Sequence, residues 1–138
     1  MPVDVEAARK FVSENHHAVL CTRRRDGTPQ MSPVVVAVDS DGRLGISTRE
    51  TAVKVRNLRR DPTYDLLVLA NTFFGPWAAL RGTVEVVSLP EALPLLVQYY
   101  RDVSGEHPDW GEYEAAMLSE QRVLLHLDIA EVGPQVLG

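Results

Sequence analysis

The sequence has one cysteine, Cys21, among 138 residues, so no internal disulfide can form. A lone thiol fits a reducing compartment, and the apolar run Ala18-Val19-Leu20-Cys21 points to a buried core thiol. No apolar run is long enough to cross a membrane as a helix. The N-terminus, Met1-Pro2-Val3-Asp4-Val5-Glu6, is acidic and lacks the apolar core of a signal peptide, so a cytoplasmic protein is the expectation. Metal-ligand spacing is missing: His16-His17 read as a helix-end pair, His107 sits in a polar loop and His126 in a strand-like run. Ser32 and Ser47 lack the context of a nucleophile elbow, which argues against a hydrolase. No convincing set of catalytic side chains is left, and no repeat or low-complexity tract divides the chain, which is read as one domain over 1–138.

Charge is present and unevenly spread. The net charge is −5, yet residues 23–60 hold nine of the fourteen Lys and Arg and four of the nineteen Asp and Glu. That segment is +5 and the remainder −10. An acidic protein with one basic region attracts an anion at one place. The basic region has no interleaved aromatics and the acidic remainder repels a long polyanion, so a nucleic-acid partner is not expected. Its densest part follows the run Leu44-Gly45-Ile46. There Ser47-Thr48 lead into a helix in which Ala52, Val55 and Leu58 share one face, with Thr51 as N-cap and Pro62 past the end. Arg49, Lys54, Arg56, Arg59 and Arg60 surround that face. Hydroxyls, helix N–H groups and cations together suit a phosphate. The competing explanation is a solvated helix laced with salt bridges.

Local signals order the rest. Asp4 caps a helix whose face carries Val5, Ala8, Phe11 and Val12. Strands follow over 18–24, 29–39 and 43–48, separated by the turns Asp26-Gly27 and Asp39-Ser40-Asp41-Gly42. After the basic helix come strands over 64–70 and 77–87, with Gly82 a bulge or close backbone approach. Pro90 opens a helix through 103, Trp110 to Ser119 form another in which Trp110 and Tyr113 pack, and 122–129 is the last strand before a Gly133-Pro134 tail. Six strands joined mainly by hairpins make a mainly β, antiparallel closed or split barrel with flanking helices.

In this order the chain resembles the pyridoxamine 5'-phosphate oxidase-like split β-barrel family of flavin and deazaflavin proteins. Four stretches carry the likeness: Val19-Leu20-Cys21-Thr22; Asp26-Gly27-Thr28-Pro29-Gln30-Met31-Ser32-Pro33; Lys54-Val55-Arg56-Asn57-Leu58-Arg59-Arg60-Asp61-Pro62; and Gly82-Thr83-Val84 after Trp77. Arg101 to Trp110 and Arg122-Val123-Leu124-Leu125 complete it. The likeness is greatest to small members that use the deazaflavin coenzyme F420. It implies a homodimer with two cofactor sites at the interface and a small-molecule substrate. By carry-over, Ser47, Thr48, Lys54, Arg56 and Asn57 bind the cofactor phosphate and tail, and Gln30, Met31, Ser32 and Pro33 lie along the ring system. Trp77 reaches toward the ring from the partner subunit, or serves only as a core or interface anchor.

Pro33 stands where some relatives have a hydrogen-bonding side chain, and Ala52 where some have another base. The chain ends without the Arg-rich C-terminal signature of true pyridoxamine phosphate oxidases, which argues against that substrate. The resemblance implies an F420-dependent oxidoreductase acting on a small unsaturated or conjugated compound. An FMN-dependent oxidoreductase and a non-catalytic cofactor carrier are the alternatives. Five cations exceed what the single phosphate of FMN needs, which tilts the expectation toward the longer polyanionic tail of the deazaflavin. Arg23, Arg24 and Arg25 either contact that tail or are a solvated hairpin end.

Overall fold

The structure is a computed structural model and describes residues 4–133. The tail from Pro134 onward lies outside the described residues. Helix α1 (Val5–Glu14) opens the chain, and the Asp4 carboxylate accepts the Ala7 N–H at 2.7 Å. Ala8 and Val12, four residues apart, are its buried positions. Strands β1 (His17–Arg23), β2 (Pro29–Val35), β3 (Ala37–Val38) and β4 (Leu44–Arg49) follow, then helix α2 (Val53–Arg60) and strands β5 (Thr63–Leu69) and β6 (Trp77–Val87). Helices α3 (Ala92–Ser104) and α4 (Trp110–Ser119) precede strand β7 (Arg122–Val132).

All pairings are antiparallel, in the order β2-β1-β5-β6-β7-β4-β3. The expected strand over 29–39 is therefore two strands. Val36, fully buried, interrupts it, and its N–H turns to the His16 carbonyl at 2.8 Å. The first half pairs with β1 and the second with β4, so the two edges of the sheet are consecutive pieces of one chain. That is why seven strands stand where six were expected, and why the sheet curls into a split barrel.

Alternation along β1 puts Ala18, Leu20 and Thr22 inside and leaves Val19, Cys21 and Arg23 half-buried on the outer face. Cys21 is thus not a core thiol, and Arg23 Nη1 lies 3.7 Å from its Sγ. Inside the barrel Leu20, Leu44, Ile46, Leu66, Val68, Leu125 and Leu127 form one core with Val55 and Leu58 of α2. A second cluster, Ala92, Leu96, Tyr113, Met117 and Leu124, fastens α3 and α4 to the outside of β7. Each fully buried leucine in these clusters is worth about 1.5–3 kcal/mol of transfer free energy.

His126 is the buried titratable group of this layer, with a side chain 6% exposed and Nδ1 3.8 Å from Glu85 Oε1. Burial first, and the Arg43 charge second, hold its pKa below the ordinary histidine range, against Asp39 and Glu85. The unfolded chain then binds the proton more readily than the folded one. Stability contributed by neutral His126 is present above the unfolded pKa and is lost as pH falls from there toward the folded pKa. Urea midpoints measured below pH 6.5 are expected to drop less for His126→Gln than for wild type; equal slopes would contradict this.

Candidate functional site

The C-terminal half of β4 runs outward in a row that ends in Ser47, Thr48 and Arg49. Helix α2 starts after three intervening residues, and its N-cap is Ala52, which offers no side-chain hydrogen bond. Thr51, the expected cap, lies one residue too early, because the Ala52 N–H closes a turn on the Arg49 carbonyl at 3.0 Å. The first turn of α2 is therefore open to an external acceptor.

A cavity of about 690 Å³ lies beside this junction. Its floor is the outer face of β1 and β2, including Val19, Pro33 and Val35. Its wall is Tyr99, Tyr100, Tyr113 and Met117 of α3 and α4. Its polar end is Ser47, Thr48, Lys54 and Arg122. The Tyr99 hydroxyl donates to the Val35 carbonyl at 2.8 Å, and that of Tyr113 to Leu96 at 2.9 Å. Burial pushes the Tyr113 phenol up to about 12 and raises Tyr99 as well, so both stay neutral donors at neutral pH.

Salt bridges divide the basic cluster. Arg59 is bound to Glu50 at 2.6 Å and Arg49 to Glu120 at 3.4 Å. Arg60 donates to the Arg23 carbonyl and to Asn57 Oδ1. Among the described residues Lys54 and Arg56 make no ion pair. Lys54 is half-buried, and burial, followed by the charge of Arg122, holds its ammonium below the ordinary lysine range. Removing a cation from water without a carboxylate partner is costly unless an anion arrives.

The residues expected at a cofactor site divide in space. Pro33, Ser47, Thr48 and Lys54 line the one cavity. Ser32, next to Pro33 but turned inward, carries a buried hydroxyl with no hydrogen-bond partner. Gln30 also turns inward, and its Oε1 accepts from the Thr22 hydroxyl at 3.3 Å. Asn57 is buried and donates to the same hydroxyl at 3.1 Å, which makes it a strut between α2 and β1. Met31 is 64% exposed on the outer face, opposite Cys21. Arg56 is exposed on α2. Trp77 opens β6 opposite Leu69, a residue at the rim of the cavity. Arg23 is bound to Asp65 at 2.8 Å, while Arg24 closes its own hairpin on Thr28 and Pro29. The sequence places Arg122 only within the family likeness and Tyr113 only as packing with Trp110; neither they nor Tyr99 and Tyr100 were expected at the site. Arg122 reaches the site only because β7 pairs with β4, an adjacency no local spacing encodes.

An open helix start, two cations and an apolar, tyrosine-walled floor fit a planar ring system that carries a phosphate. The sequence model of the family described as pyridoxamine 5'-phosphate oxidase matches residues 5–135, and the chain belongs to that family. A conserved hypothetical protein of Mycobacterium tuberculosis superposes with a TM-score of 0.76 at 25% identity, over 94% of this chain and 82% of the other. An F420 reductase gives 0.71 at 21% identity, over 92% and 96%. The heme storage protein HutZ of Vibrio cholerae gives 0.71 at 16% identity, over 100% and 98%. These likenesses agree on the fold, and two of them, an F420 reductase and a heme storage protein, are named for different groups.

Proposed function

We propose that the protein is an oxidoreductase that binds the deazaflavin coenzyme F420 and exchanges hydride with a small unsaturated or conjugated substrate. The observation that carries this is Lys54, half-buried, without a carboxylate, beside Ser47 and Thr48 at the polar end of an apolar cavity. The cofactor supplies the hydride chemistry; the protein holds its phosphate, lays its ring along Pro33 and Val35, and keeps water out. A cavity without a nucleophile and base pair is consistent with that division of labour.

FMN is the second reading, and one observation favours it. Arg49 and Arg59 are engaged by Glu120 and Glu50, so fewer cations are free for a long polyanionic tail than the sequence suggests. A non-catalytic carrier uses the same cavity. His17, exposed at the cavity mouth, is the imidazole available to a heme, so hemin belongs among the control ligands.

The working unit in this proposal is a cytoplasmic homodimer. Met31 and Val35 of β2 and Leu67 of β5 are exposed on the outer face; Val19 shares a row with Leu67, Leu69 and Trp77 share one with Val35 and His17, and Met31 lies in the row of Cys21, Asp65 and Arg81. Exposed apolar side chains gathered on one sheet face support a subunit interface there. Wild type is expected to elute as a dimer and to oxidise reduced F420 when given a conjugated substrate. Leu67→Asp is expected to elute as a monomer and to lose turnover at least tenfold. A monomeric wild type that turns over would remove the dimer from the account, and a dimer inert with both cofactors would remove the enzyme.

A further inference from the structure

Arg122 opens β7 and sits opposite Arg49 in the β4–β7 ladder, with Val123 opposite Thr48. Its side chain is 27% exposed and borders the same cavity end as Ser47, Thr48 and Lys54. Glu120 grips one side of the guanidinium: Nε and Nη2 lie 3.0 and 2.9 Å from the same oxygen, Oε1. The Arg49 guanidinium shares that oxygen at 3.4 Å. One carboxylate therefore serves two guanidiniums, and the group stays cationic. Among the described residues Nη1 of Arg122 has no acceptor.

The turn that delivers Arg122 is fixed. Gln121 adopts a left-handed conformation, φ 53°, rare for a side chain of its kind. Its carbonyl accepts the Glu50 N–H at 2.9 Å, which ties the start of β7 to the β4–α2 junction. Two half-buried cations thus face one cavity end, and Lys54 feels the charge of Arg122. An anion placed between two such cations would gain from both charges.

We propose that Arg122 is the second cation of the phosphoryl subsite, binding the phosphate of the cofactor opposite Lys54 while Glu120 holds its guanidinium in position. The shared ligand chemistry is a phosphoryl group, from the monoester of FMN or the diester of F420. The inference rests on the cofactor reading of this cavity, but its chemistry stands without it, because inorganic pyrophosphate is a sufficient probe. A planar guanidinium with a free edge suits two phosphoryl oxygens at once, which a lysine in its place would not.

The test is calorimetric titration of the full-length protein with F420, FMN and pyrophosphate, for wild type, Arg122→Gln, Arg122→Lys and the control Arg59→Gln. Circular dichroism and melting temperature report folding. The expected result is a tenfold or greater loss of affinity in Arg122→Gln for every phosphoryl ligand that wild type binds. Arg122→Lys should recover part of the loss, and Arg59→Gln should match wild type. Unchanged affinity in a folded Arg122→Gln would overturn the assignment and reduce Arg122 to a structural partner of Glu120. If Arg122→Gln does not fold, Arg122→Lys decides alone, by a loss against wild type or none. Wild type that binds pyrophosphate through Arg122 but neither cofactor would sink the functional reading and keep the subsite. Wild type that binds none of the three ligands would overturn both.

Discussion

Replacing Gly82 with alanine is expected to destabilise the fold by about 3 kcal/mol or more, a large share of the 5–15 kcal/mol that holds a domain of this size together. The cause is backbone, not side chain. The β6–β7 ladder shifts register between Arg81 and Gly82, which face Glu131 and Ile129, so Ala130 is an extra residue in β7. The bulge brings the β7 backbone onto Gly82. A Cβ there would lie 1.9 Å from the Asp128 carbonyl oxygen and 3.0 Å from the Ala130 nitrogen. The Asp128 carbonyl cannot retreat cheaply, because it accepts the Tyr64 hydroxyl at 3.0 Å from inside the barrel. Urea denaturation of Gly82→Ala should show a lowered midpoint or an insoluble product. A midpoint shift worth less than about 1 kcal/mol would mean that the two strands separate more easily than this packing implies.

Lys54→Ala should weaken cofactor binding by about 2 kcal/mol, or roughly thirtyfold, with little change in melting temperature. The asymmetry follows from its position. Lys54 makes no ion pair within the described chain, so its loss breaks no internal salt bridge. Burial and the neighbouring Arg122 already disfavour its charged form. An anion at the cavity end reverses that balance, and the energy of doing so appears as affinity. A Lys54→Ala protein that binds as tightly as wild type would move the phosphate elsewhere.

How far the sequence carried depended on how local each signal was. Asp4 capped its helix as expected, and the strand over 77–87 and the helix over 110–119 were legible to the residue, because apolar periodicity and Gly/Pro punctuation delimit them. The break at Val36 was not legible. Valines 34–36 and 38 favour extended backbone throughout, and only the curl of the sheet assigns the two halves to different partners. Cys21 was misplaced because an apolar run was taken as wholly buried, whereas the pleat turns every second residue outward. Thr51 missed the cap by one residue, which a turn hydrogen bond decides.

At the site, the basic helix and its Ser-Thr approach were visible, and Ser47, Thr48 and Lys54 share a cavity with Pro33. What the sequence could not show is which cations are free. Glu50 and Glu120 select Arg59 and Arg49 through contacts set by tertiary structure, and Arg122 arrives by strand pairing alone.

Fluorescence titration of wild-type protein with F420 and, separately, with FMN tests the central claim most directly. The account predicts saturable binding of F420, tighter than FMN by at least tenfold, at one site per chain. Tighter binding of FMN, or no binding of F420 where FMN saturates, would contradict it.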